Sequence, residues 1–83
     1  MAAYVYVIAT WDGRALTYVG WTLDLDRRLA EHNGKAKGAK STRARQWVLL
    51  YAEKYRTRKK AMQREVALKR DKRFRAALRS LRD

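Results

Sequence analysis

The sequence predicts an α/β fold of the α+β kind: a three-stranded antiparallel sheet flanked by helices, in the order ββαβαα. Two short runs of aromatic and β-branched residues, AYVYVIA at 3–9 and LTYVG at 16–20, flank an Asp12-Gly13 turn signal. A third run, QWVLLYAE at 46–53, stays apolar over the length of a strand and reads as the central strand, buried on both faces. Residues 24–33 and the stretch from Thr57 to Leu81 read as helical.

Each element follows from local chemistry. In the first strand Tyr4, Tyr6 and Ile8 point to one face and Val5, Val7 and Ala9 to the other. In the second, Leu16, Tyr18 and Gly20 share a face, and Gly20 is read as the residue that lets the backbone leave the strand. Whether Tyr6 and Tyr18 share a face depends on the turn. A two-residue loop sets Tyr6 opposite Val19 and separates the tyrosines. A three-residue loop, Trp11-Asp12-Gly13 with Gly13 left-handed in a bulge, sets Tyr6 opposite Tyr18. The sequence leaves both open.

Thr22 or Asp24 can cap the helix at 24–33, and Asp24 and Asp26 suit its positive end. GKAKGAKSTRAR at 34–45 is a loop carrying five cations: Lys35, Lys37, Lys40, Arg43 and Arg45. Thr57 can cap the last helical stretch, and Asp71-Lys72 is its natural break into two helices. With no repeat and no linker, residues 1–83 read as one domain.

Composition narrows the function. Twenty-one Lys and Arg against eight acids give a net charge of +13. Charge of this density points to a polyanionic partner, nucleic acid, over a solubility feature or a cationic membrane-surface protein. If about six phosphates are neutralised, log K should fall with log[salt] with a slope of roughly −5. No apolar run approaches the roughly 20 residues of a membrane span, and MAAYVYVIAT lacks the basic start of a signal peptide. The expected compartment is the cytoplasm (nucleoid) or the nucleus. The chain has no cysteine and one histidine, which all but excludes a zinc site and a thiol nucleophile. GKAKGAK has glycines but no strand immediately before it, so it is no phosphate loop.

Two places carry unusual polar residues. On the helix at 24–33, Leu25 and Leu29 form the apolar stripe, Arg28 and His32 sit at its edge, and Arg27 and Glu31 point to solvent. Arg28 and His32 are i, i+4 neighbours that can meet one ligand, or an arginine lying over its own stem beside a half-buried histidine. In TRKKAMQREVALKR, Glu65 shares a face with Ala61 and Leu68 and is the acid whose helical phase points inward. A carboxylate there is paired, holds a metal, or forms a surface pair with Lys69.

Taken in order, Tyr4-Val5-Tyr6 in YVYVI, Tyr18-Val19-Gly20 in YVGWT, the helix DLDRRLAEHN, the basic GAKSTRAR, the strand WVLLYAE and the helix AMQREVALK resemble a GIY-YIG nuclease domain. The resemblance covers nearly the whole chain and is closest to the small stand-alone group of that superfamily. It implies hydrolysis of a DNA phosphodiester with one divalent cation, Mg²⁺ or Mn²⁺. Carried over residue by residue, it implies Tyr6 and Tyr18 as the motif tyrosines, Tyr6 as general base with Tyr18 as its partner. Arg28 is implied as the clamp on the scissile phosphate, His32 as a residue able to share the tyrosines' role, and Glu65 as the metal ligand. Lys35, Lys37, Lys40, Arg43 and Arg45 would bind phosphates away from the chemistry. The first motif lacks its leading glycine, Trp21 stands where some relatives have a lysine, and no asparagine follows Glu65.

Two functions are carried forward. One is a metal-dependent DNA endonuclease, acting on branched or damaged DNA, as a monomer or weak dimer, with a protein partner supplying targeting. The other is a non-catalytic nucleic-acid-binding module or ribosome-associated protein that retains the fold.

Overall fold

The sheet is organised around its first strand. The computed structural model describes residues 2–10, 16–34 and 47–82. The elements are β1 (Ala3–Thr10), β2 (Thr17–Thr22), α1 (Leu25–His32), β3 (Trp47–Tyr55), α2 (Arg58–Arg70) and α3 (Lys72–Arg82). This is the predicted ββαβαα order, with three antiparallel strands arranged β2-β1-β3.

The central strand is therefore β1, and the expectation that the third run lies in the middle is corrected. Val5, Val7, Ile8 and Ala9 of β1 are buried, whereas β3 alternates and leaves Leu49 40% exposed. The misleading apolar run Val48–Tyr51 has a local cause. Val7 pairs with Tyr51 and Ile8 with Leu49, so Leu50 is an extra residue bulged out of the ladder. A bulge resets which face each side chain takes, so consecutive apolar residues on β3 need not mean burial on both faces.

The register between β1 and β2 is neither of the two anticipated. Tyr6 pairs with Gly20, Ile8 with Tyr18, and the Thr10 amide donates to the Leu16 carbonyl at 3.2 Å. Residues 11–15, including the turn assigned to Gly13, lie outside the described residues. Tyr6 and Tyr18 nonetheless share a face, because their partners are two residues apart.

Gly20 lies inside β2 rather than at its exit, which corrects its assigned role. A Cβ at Gly20 would stand 2.5 Å from the Tyr6 hydroxyl oxygen and 2.7 Å from Cζ. The missing side chain is the space that the Tyr6 ring occupies.

The two faces bury separate clusters. On one, Ala3, Val5, Val7 and Val19 pack against Ala61 and Leu68 of α2, with Tyr51, Phe74 and Leu78 around them. On the other, Tyr6, Ile8 and Trp47 pack with Tyr18 and with Leu25 and Leu29 of α1. Capping fixes the helix ends as the sequence suggests. Asp24 accepts from the Arg27 amide at 3.1 Å, Thr57 from the Lys60 amide at 3.2 Å, and Asp71 from the Phe74 amide at 2.9 Å. Asp71 thereby ends α2 and starts α3.

Glu53 is a second inward carboxylate besides Glu65. It accepts hydrogen bonds from Tyr51 and Tyr55, two residues to either side, and from Arg64 Nε at 2.9 Å and Nη2 at 3.1 Å. This network ties β3 to α2. Burial alone would raise the Glu53 carboxyl, but bonds from Arg64, Tyr51 and Tyr55 and the Arg64 charge lower it from 4.5 to about 2.

Two outcomes follow. Gly to Ala inside a strand ordinarily gains about 0.5–1 kcal/mol. Gly20→Ala should instead lose about 1–3 kcal/mol in urea unfolding, because the methyl group meets the Tyr6 ring; a gain would show that the ring does not cross Gly20. The folded carboxyl of Glu53 titrates below the unfolded one, so its stabilisation is complete above about pH 4.5 and fades as pH falls toward 2. Glu53→Gln should cost about 2 kcal/mol at pH 7, with the gap between variant and parent closing below pH 4.5; a gap constant with pH would contradict this network.

Candidate active site

The sheet face carrying Tyr6 and Tyr18 meets α1, and three elements converge at the Tyr6 hydroxyl. Tyr6 is 1% exposed and its hydroxyl lies 2.7 Å from Nε2 of His32, which is itself fully buried. His32 is thus a core residue rather than a half-buried one. The Tyr18 ring completes the cluster, with its centroid 4.8 Å from that of His32 and 6.4 Å from that of Tyr6.

Local structure positions each side chain. Leu25 and Leu29 pack α1 onto Ile8 and Trp47, which turns His32 into the sheet. Asn33, directly after His32, then clamps β3. Its Nδ2 donates to the Trp47 carbonyl at 3.0 Å and its Oδ1 accepts from the Trp47 amide at 2.7 Å. Trp47 in turn lies edge-on to Tyr18. The clamp holds the end of α1, and His32 with it, at a fixed height over β1.

Arg28 stands one turn before His32. It donates from Nη1 to Glu31 Oε1 at 3.0 Å, and Arg27 also reaches Glu31, at 3.5 Å. Glu31 is only 16% exposed and braces Arg28, which corrects its assignment to solvent; Arg27 is exposed as expected. Arg28 and Glu31 open on a cleft of about 450 Å³ that Trp21, Asp24 and Arg27 also line.

The electrostatics at this point are set by burial opposed by Arg28. Burial raises the Tyr6 hydroxyl; a hydrogen bond and the charge of Arg28 pull it back, Tyr18 and Glu65 push it up, and the result is about 12. Burial and the Arg28 charge lower His32 to about 4, against the opposing pull of Glu31. At neutral pH both partners are uncharged: Tyr6 keeps its proton and His32 is neutral imidazole.

Glu65 comes from α2, and its charge is felt at the Tyr6 hydroxyl. Its side chain is 19% exposed and pairs with Lys69 at 3.7 Å. Among the described residues no group of three or more His, Cys, Asp or Glu is gathered as a metal cluster. Lys35, Lys37, Lys40, Arg43 and Arg45 lie outside the described residues.

Three residues of this site escape sequence reasoning. Glu31 looks like a solvent residue by helical phase, Asn33 like the end of a helix, and Gly20 like a strand exit. The one local signal is the glycine itself, since a strand-interior glycine marks a close approach.

Comparison with known proteins matches this arrangement to a family. Residues 2–77 match the GIY-YIG catalytic domain. A UPF0213 protein from Streptococcus pneumoniae is 50% identical over 72 residues, covering 86% of this chain and 70% of that protein. One from Halobacterium salinarum is 45% identical over 67 residues, covering 80% of this chain and 83% of that protein. The solution NMR structure of a UPF0213 protein from Bacillus halodurans is 36% identical, with a TM-score of 0.54, and the match covers 98% of this chain and 85% of that one. The order of elements, the paired tyrosine strands and these matches agree: the chain belongs to the GIY-YIG catalytic domain family, with small UPF0213 proteins among its relatives.

Proposed function

We propose that this protein is a DNA endonuclease that hydrolyses a phosphodiester bond with one divalent cation, Mg²⁺ or Mn²⁺. The observation that carries the reading is the meeting of Tyr6, Tyr18, His32 and Arg28 at one hydroxyl that also feels the charge of Glu65. A structural cluster has no need of that arrangement in a chain with few acids and one histidine.

Each group has a task. Arg28, braced by Glu31, offers a planar fork to the scissile phosphate. Glu65 is a lone hard oxygen donor, which fits Mg²⁺ or Mn²⁺ held mostly through water and substrate oxygens, and does not fit a closed zinc site. A cation there supplies neutralisation of the charge developing on the phosphate and its leaving oxygen. Tyr6 is the general base toward the attacking water, with its hydroxyl held by Nε2 of His32 and kept from rising further by the charge of Arg28. Burial keeps the proton on Tyr6 up to about pH 12, so Tyr6 would act as base once added positive charge at the site lowers its hydroxyl. Tyr18 packs beside both rings as the partner tyrosine. Branched or damaged DNA is the proposed substrate, in the cytoplasm or nucleus, with a protein partner for targeting. No described helix is long and apolar enough to cross a membrane.

A second reading has its own support. The Glu65–Lys69 pair and the buried, bonded Tyr6 hydroxyl also suit a non-catalytic nucleic-acid-binding module. Nicking assays on branched and linear DNA with Mg²⁺ separate the two. The nuclease reading expects Glu65→Ala and Arg28→Ala each to lose about 10²–10³-fold in rate while still binding DNA. An inactive parent, or mutants as active as the parent, would leave the binding reading standing.

A further inference from the structure

A second concentration of charge lies around the edge of β2 from the tyrosines. Lys72, Arg75, Ala76 and Arg79 of α3 line, with Thr17, a cavity of about 290 Å³. At helical spacing these four positions fall within about 100° of one another, so the cations form one wall and Ala76 leaves room between them. Thr17 neighbours Tyr18 on β2, but strand alternation turns it to the opposite face.

Arg75 is already oriented. Its Nη1 donates to Thr17 Oγ1 at 3.2 Å and its Nη2 to the Lys69 carbonyl at 2.9 Å. Nε is buried without a partner among the described residues, which leaves one N–H on each terminal nitrogen for a ligand. An arginine fork fixed in this way loses little freedom on meeting a phosphate.

Among the described residues no acid compensates these charges. Lys72, Arg75 and Arg79 take no part in the ion pairs among the described residues. The first turn of α3 holds no acid, and Asp71 before it is engaged with the Phe74 amide. Like charges one turn apart, and cations at a helix N-terminus, both disfavour the helix on its own. A bound anion relieves both.

We propose that this groove binds a phosphate of the nucleic-acid backbone, as an anchoring site separate from the Tyr6–Arg28 centre. Lys69 links the two: its ammonium pairs with Glu65 and its carbonyl holds Arg75. Along α2, Lys69 stands about one turn, or about 6 Å, from Glu65. The inference rests on nucleic acid as the partner and is independent of cleavage.

Its test is the anisotropy of a short labelled DNA duplex, titrated over a salt series in EDTA so that cleavage is not read. Lys72→Ala/Arg79→Ala should weaken binding about tenfold and make the slope of log K against log[salt] shallower by about 2. Its unfolding temperature should be unchanged or higher, because repulsion is removed. Lys59→Ala/Lys60→Ala removes the same charge from exposed positions at the start of α2 and should change the slope by less. An unchanged slope in the groove variant, an equal change in the control, or no salt-dependent binding by the parent would each overturn the proposal. No nicking by the parent, with the slope change in the groove variant intact, would count against the nuclease reading alone.

Discussion

The Tyr6 ring crosses the backbone of β2 at Gly20 and ends on His32, and the rest of the site is arranged around that contact. A buried hydroxyl without a partner costs about 1–3 kcal/mol, so once Tyr6 points inward it must meet a polar group. His32 can be that group because α1 is tilted onto the sheet by Leu25 and Leu29 and locked at its end by Asn33. The histidine remains neutral because it is buried beside Arg28, and Arg28 remains close because Glu31 braces it. A strand glycine, two helix leucines and a capping asparagine thus decide where the polar side chains sit.

The sheet divides labour between its faces. One is closed by α2 and α3 over an apolar cluster and is tied at β3 by the Glu53 network. That network occupies Tyr51, Tyr55 and Arg64 and leaves them no role at the other face. The opposite face carries the tyrosines and α1. Glu65 is supplied by the closing helix, so the spacing between β1 and α2 governs how near its charge comes to Tyr6.

Much of this was legible in the sequence. Alternation in AYVYVIA, the Asp and Thr caps and the break at Asp71 are local signals, and the structure shows them at those places. The strand order was not legible, because the bulge at Leu50 depends on pairing with β1 and leaves a run that imitates a buried strand. The register of β2 was missed for a similar reason: it is set by which residue can lie beneath the Tyr6 ring, a constraint between strands. Helical phase found Arg28, His32 and Glu65 as inward or edge residues. It could not show that Glu31 turns back toward Arg28, since that depends on a side-chain ion pair and not on backbone direction.

The most direct measurement is a proton NMR titration of the imidazole in the parent and in Arg28→Ala. The chain has one histidine, so the signal has one source. If His32 is the buried neutral partner of Tyr6 under Arg28, the parent titrates near pH 4 and Arg28→Ala moves that midpoint up. An ordinary midpoint near 6.5 in the parent, unchanged by the substitution, would contradict it.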